Sequence, residues 1–126
     1  MKITKRSTSH IAQTQDGLAL VVSRNSDDAN WQFPPAEFIV GDVPDQEMVL
    51  STQGVLYTYS VVHVDRERGP YALAMVDFEP GVRAFGPMVY EVGKEPPLGA
   101  TMEVMAYALK DGSADYAFRQ STGSTL

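Results

Sequence analysis

Gly54-Val-Leu-Tyr-Thr-Tyr-Ser-Val-Val-His-Val64 reads as one long β-strand. Simple alternation places Val55, Tyr57, Tyr59, Val61 and His63 on one face and Leu56, Thr58, Ser60, Val62 and Val64 on the other. Both faces are largely β-branched or aromatic, as a strand in a curled barrel requires. Working outward, Asp65–Pro70 is a charged turn and Tyr71–Phe78 a second strand. Pro80-Gly81 turns the chain into Val82–Phe85, where Gly86-Pro87 is expected to kink it and leave Met88–Val92 as an edge segment. Glu95-Pro-Pro-Leu-Gly99 reads as a linker, Thr101–Leu109 as a fourth strand and Asp115–Arg119 as a fifth, with Asp111-Gly112 as the hairpin signal between them. Five strands with short turns and no long amphipathic helix predict a small closed all-β barrel. The oligonucleotide/oligosaccharide-binding (OB) fold is the five-stranded member of that set, and an SH3-like barrel fits the strand count nearly as well.

Upstream of the strands the chain is more polar. A frayed start and at most a short helical turn around His10–Gln15, closed by Asp16-Gly17, are expected before the β-prone run Leu18–Val22. Residues 24–31 form a turn-rich loop. Phe33-Pro34-Pro35 is held extended by its prolines and cannot be a central strand. These signals divide the chain into an N-terminal extension over 1–46, a barrel over 47–120 and a Ser/Thr/Gly-rich tail over 121–126, expected to be mobile.

The 126 residues, 44% of them hydrophobic, are enough to build one core without a staple. Cysteine is absent, which removes disulfides, thiol nucleophiles and iron–sulfur clusters. No apolar run reaches the roughly 18 residues that a membrane span needs. Nor does an apolar stretch follow the first basic residues, so a cytoplasmic protein without a secretory signal is expected. The formal charge of −6 is uneven. Residues 1–24 carry four bases and one acid, whereas residues 25–50 carry six acids and no base. An acidic body without a basic stripe argues against a nucleic-acid partner, whose phosphates dominate such binding.

A search for chemistry returns little. There is no G-x-S-x-G elbow, Walker loop or G-x-G-x-x-G motif. Of the two histidines, His10 reads as an exposed surface residue. His63, at a strand end beside Tyr57 and Tyr59, reads either as a hydrogen-bond donor to a ligand or partner, or as a residue satisfied by the barrel itself. Asp77 and Glu79 share one strand face and do not face each other across a cleft. Arg83 and Arg119 suit either a phosphate clamp or ion pairs, with Asp77, Glu79 or a partner's carboxylate as acceptors. Tyr57, Tyr59, Tyr71, Phe78, Phe85 and Tyr107 resemble a base-stacking platform, but aromatics at period two without bases between them read first as core.

Five ordered pieces carry a more specific signal. Gly54–His63, Pro70-Tyr-Ala-Leu-Ala-Met-Val-Asp77, Gly81-Val-Arg83, Pro97-Leu-Gly99 and Tyr116-Ala-Phe-Arg119 together resemble the OB-fold domain of the DUF35 family, over roughly residues 16–120. The resemblance implies a rubredoxin-like zinc ribbon ahead of the barrel, with Phe33-Pro34-Pro35 between two Cys-x-x-Cys pairs. The four ligand positions fall near Asn25, Asp28, Ile39 and Asp42, none of them a thiolate or imidazole. A degenerate, metal-free ribbon is therefore expected, packed on Trp31, Phe33, Phe38 and Ile39. A hard-cation site built from Asp27, Asp28, Asp42 and Asp45 is conceivable, but it lacks the spaced ligands and glycine of a calcium loop. Members of the family act as accessory subunits of thiolase-superfamily enzymes on acyl-CoA. The resemblance thus implies a non-catalytic subunit that bridges catalytic partners and lines the channel for the coenzyme A thioester, with no tightly bound cofactor of its own. Phe33, Pro34, Pro35, Tyr57, His63 and Arg83 are the candidate partner or channel residues.

Overall fold

The computed structural model describes residues 3–25, 29–41, 45–62, 71–91, 93–108 and 114–121. His63, the Asp65–Pro70 turn, Asp27, Asp28, Asp42, the Asp111-Gly112 turn and the tail after residue 121 lie outside them. Ten strands run through the described residues: β1 (Ile3–Lys5), β2 (Ile11–Thr14), β3 (Gly17–Asn25), β4 (Phe38–Val40), β5 (Asp45–Val49), β6 (Gln53–Val62), β7 (Tyr71–Phe78), β8 (Val82–Met88), β9 (Thr101–Ala108) and β10 (Ala114–Gln120). No helix occurs among the described residues.

Five of these strands close into a barrel in the order β10-β8-β7-β6-β9. All pairings are antiparallel except β8–β10, which is parallel and in register only at Phe118 and Met88. This is the five-stranded OB architecture, as expected. A barrel so narrow fills its interior with side chains, so bulky residues need small neighbours. Here Ala72, Ala74 and Ala84 are fully buried beside Phe118, Phe78, Leu56 and Met102. The β3 residues Leu20 and Val22, with Leu50, belong to the same core. The sheet β2-β3-β5 is therefore packed onto the barrel and shares its core.

Two local features let β6 close the barrel. At Gly54 the strand passes from β9 to β7, and an added Cβ would lie 2.7 Å from the Asp77 carbonyl oxygen and 2.9 Å from the Phe78 ring. Only glycine permits that approach. Between Leu56 and Thr58 the register slips by one residue, with Leu56 opposite Val76 but Thr58 opposite Met75. The slip is a β-bulge, and it reverses the inside–outside order beyond it. Tyr59 consequently turns inward against the core, opposite the fully buried Ala74, whereas Tyr57 stays outside. The single-face alternation expected for Tyr57, Tyr59 and Val61 is corrected by this one extra residue.

Other expectations are corrected as well. The helical turn around His10–Gln15 is instead β2, because Ile11 and Ala12 pair with Leu20 and Ala19 across a hairpin closed at Thr14 and Gly17. Gly17 has φ 130°, which explains the glycine at that turn. Nor does β8 break at Gly86-Pro87. Gly86 lets the Tyr116 ring approach its Cα, and β10 ladders with this edge of β8 only at Met88, so a residue without an N–H is tolerated.

The N-terminal residues are held by a cation. Arg6 has its side chain 3% exposed and donates through Nη2 to Asp45 (2.7 Å), through Nη1 to Glu47 and through Nε to the Ala36 carbonyl (2.6 Å). Its backbone N–H adds a bond to the Glu37 carbonyl at 2.7 Å. The bond to Asp45, opposed by desolvation, raises the guanidinium pKa above its ordinary value. One side chain thus ties the end of β1 to the approach to β4 and to two same-face positions of β5. Of the four aromatic and aliphatic residues expected to form a ribbon core, Trp31 and Phe33 pack on the barrel core and Ile39 is half-buried. Phe38 is 54% exposed, because it shares the outer face of the β1–β4 pair with Lys5, Ile3 and Val40.

Two substitutions test this account. Arg6→Ala should lower unfolding free energy by about 2–4 kcal/mol in urea denaturation, somewhat under the figure for a fully buried pair because the carboxylates keep some water. Gly54→Ala should cost about 1–3 kcal/mol by overpacking the barrel seam. A loss below about 0.5 kcal/mol in either variant would contradict the role given to that residue.

Candidate functional site

The candidate residues fall into two clusters. The first surrounds Phe33. Ser23, buried on β3, exchanges backbone hydrogen bonds with Gln32 (2.7 and 3.1 Å), and its hydroxyl accepts one from the Ala36 N–H (2.9 Å). Both ends of the Phe33-Pro34-Pro35 segment are thereby pinned to one strand, so the segment stands out as a short arch. Phe33 turns inward from it, with its ring centroid 5.5 Å from Tyr116 and 6.4 Å from His10. Pro34 is exposed and Pro35 half-buried.

His10 is not a free surface group, contrary to expectation. Its Nε2 lies 2.7 Å from Asp115 Oδ1 on β10, and its ring packs edge-on against Tyr116 at 5.7 Å. Asp115 is 105 positions away in sequence, so no local pattern announces this pair. The Tyr116 hydroxyl donates to the Phe85 carbonyl, linking β10 to β8. Burial, with a smaller contribution from the Asp115 charge, pushes the Tyr116 phenol up to about 12.

The second cluster lies on the barrel's outer wall. Strands β6, β7 and β8 present there the paired rows Val55–Asp77–Arg83, Tyr57/Thr58–Met75–Phe85 and Ser60–Leu73–Pro87. Val55, Tyr57 and Phe85 are each about half exposed, at 49%, 50% and 54%. Arg83 Nε and Nη2 donate to the two Asp77 carboxylate oxygens at 2.7 and 3.2 Å. That pairing raises the guanidinium pKa. The same guanidinium stacks 3.5 Å from the centroid of the Tyr57 ring. Of the two uses expected for Arg83, the ion pair is the one the structure displays. Arg119 likewise pairs with Glu103, its cross-strand neighbour, at 2.6 Å.

The structure therefore brings Tyr57 and Arg83 together and assigns Phe33 to a different cluster, and His63 lies outside the described residues. Sequence reading did not pair His10 with Asp115, did not single out Val55, and weighed Phe85 as a core or base-stacking aromatic. For the last two the available signal was their place on outward rows, but the bulge at Tyr57 has no marker in composition. Among the described residues no group of three or more His, Cys, Asp or Glu side chains is placed to hold a metal ion. Ile39, at one of the positions where the resemblance would put a zinc ligand, has no donor atom. Asp45, one member of the conceivable hard-cation set, is bound to Arg6.

Comparison with known proteins follows this geometry. Residues 47–106 match the model of a family described as the ChsH2 C-terminal OB-fold domain. Over 74 residues the chain is 32% identical to a DUF35 domain-containing scaffold protein of Methanocaldococcus jannaschii, covering 56% of this chain and 52% of that protein. The chain thus spans about half the length of this curated relative. In fold it is similar to a solved chain described as an Ltp2-ChsH2(DUF35) aldolase, with a TM-score of 0.64 and 19% identity over 81% of this chain and 84% of that one.

The Tyr116 phenol provides a direct check of the first cluster. Its pKa is raised above the usual value near 10. Its contribution to stability should therefore be complete below pH 10 and be lost as pH rises through about 12. The ultraviolet titration difference between wild type and Tyr116→Phe should show one phenol ionising near pH 12. Ionisation near pH 10 would mean that the ring is not packed as described.

Proposed function

We propose, from the premise that this barrel belongs to the DUF35 OB-fold family, that the chain is a non-catalytic accessory subunit of a thiolase-superfamily enzyme acting on acyl-CoA. In this role it bridges catalytic subunits and forms part of the wall of the coenzyme A or acyl channel, while the partner supplies the reacting groups. The thioester is a substrate of the complex. The setting is the cytoplasm, without membrane or nucleic acid. Among the described residues no helix is long and apolar enough to cross a membrane.

The single observation that carries this proposal is how the ionic side chains are used. Arg6, Arg83 and Arg119 each bind a carboxylate of this same chain, and His10 binds Asp115. Groups that would otherwise serve phosphate capture or proton transfer are engaged in holding strands together. A domain of that kind contributes shape and surface. An exposed apolar wall beside neutralised charges suits contact with another protein. Phe33, Pro34, Pro35, Tyr57, His63 and Arg83 remain the candidate contacts to partner or channel.

Co-expression with a thiolase-type subunit from the same organism tests the proposal. The two chains should elute together at fixed stoichiometry, and acyl-CoA turnover by the partner should fall at least tenfold when this chain is left out. A partner that is stable and fully active alone would overturn it.

A further inference from the structure

We infer that the outer wall of β6, β7 and β8 is the surface on which the thiolase-type partner docks, and that the Phe33-Pro34-Pro35 arch is not. This assignment rests on the accessory role proposed above and adds a location to it. The wall is produced by the barrel's own geometry. Alternation puts Tyr57 outside with Val55, the bulge in β6 turns Tyr59 inward, and β8 sets Phe85 next to Met75 in the neighbouring row. Leu73 and Pro87, half-buried, extend the apolar surface along the strands.

Charge identifies the kind of occupant. On a chain of net charge −6, the one cation on these rows, Arg83, is bound by both oxygens of Asp77 and stacked on Tyr57. Among the described residues the wall is locally neutral and offers no free base to a phosphate, whether of nucleic acid or of coenzyme A. Its complement is an uncharged apolar protein surface. Within these rows the middle strand β7 is bonded on both sides, while β9 ladders with β6 only at Gln53–Val55 and β10 with β8 only at Met88. The apolar contact that the wall offers runs through its side chains, as between two folded domains.

Area separates a different protein from a second copy of this chain. Three strands spaced about 4.8 Å apart and five residues of about 3.3 Å give a footprint of roughly 250 Å². Two such walls face to face would bury about 500 Å², in the range of incidental contacts and well under the roughly 1,600 Å² of a stable interface. The wall therefore serves as the apolar centre of a larger contact with a larger partner, where aromatic residues at the middle carry most of the affinity. The arch is less suited, because Phe33, its one large side chain, is already packed against His10 and Tyr116.

The test measures affinity of the purified full-length chain for the co-expressed, separately purified thiolase-type subunit by titration calorimetry. Phe85→Asp places a charge in the middle row of the wall and should weaken binding at least thirtyfold. Because Phe85 is exposed, the thermal midpoint should move little. Tyr57→Ser should weaken binding at least fivefold, and Pro34→Asp and Phe38→Asp should change it less than twofold. Sedimentation of the wild type alone should give a monomer. If wild type binds and Phe85→Asp binds equally well, or if Pro34→Asp or Phe38→Asp is the variant that fails, the docking assignment is wrong and the accessory role stands. If wild type does not bind at all, the accessory role fails and the assignment falls with it.

Discussion

Closing five strands around Phe118 is the constraint from which the rest of the molecule follows. A ring this tight has room for the buried rings of Phe118 and Phe78 only if the facing strands carry small residues, and β7 and β8 do so with Ala72, Ala74 and Ala84. Closure also demands that β6 serve two neighbours, β9 at its start and β7 along its length. Gly54 allows the backbones to meet at that switch, and the bulge after Leu56 supplies the bend. One inserted residue decides that Tyr59 fills the core, while Tyr57 faces out with Val55 by ordinary alternation.

The N-terminal residues show a second solution to a common problem. Small two-stranded units have too little core to be stable alone, and metals often make up the difference. Here a guanidinium occupies the organising position. The Arg6 side chain reaches two carboxylates and one backbone carbonyl from different segments, which a single aliphatic side chain could not do. Its environment is low in water, so each charge-assisted bond counts for more than it would at the surface. The uneven charge along the chain, basic in the first 24 residues and acidic in the next 26, has this pairing as one of its physical outcomes. The His10–Asp115 contact does the same between the N-terminal segment and β10.

Much of the fold was legible in the sequence because it rests on period-two patterning and turn residues. The five barrel strands lie close to where alternation, Pro80-Gly81 and the break at residues 95–99 place them. Parity across a bulge was not legible, because nothing in Leu56-Tyr57-Thr58 distinguishes an inserted residue from a paired one. Aromatic period alone therefore could not separate Tyr59 and Phe78, which are core, from Tyr57 and Phe85, which are surface. The strand at Ile11–Thr14 was missed because four polar-flanked residues have no preference strong enough to override a helical reading without knowing that β3 lies alongside. Pairings such as Arg6 with Asp45 and His10 with Asp115 are set by tertiary closure over 39 and 105 positions, beyond the reach of any local signal.

If, as proposed, the barrel docks another protein through the apolar, charge-neutral outer wall of β6, β7 and β8, hydroxyl-radical footprinting of the chain, free and in complex with the proposed thiolase-type partner, reads the side chains of that wall directly. Oxidation of Tyr57, Met75 and Phe85 should fall severalfold in the complex, while the exposed Phe38 and Ile3 of the β1–β4 pair keep their reactivity. Equal oxidation of Tyr57, Met75 and Phe85 in the two states, with protection elsewhere, would contradict the account.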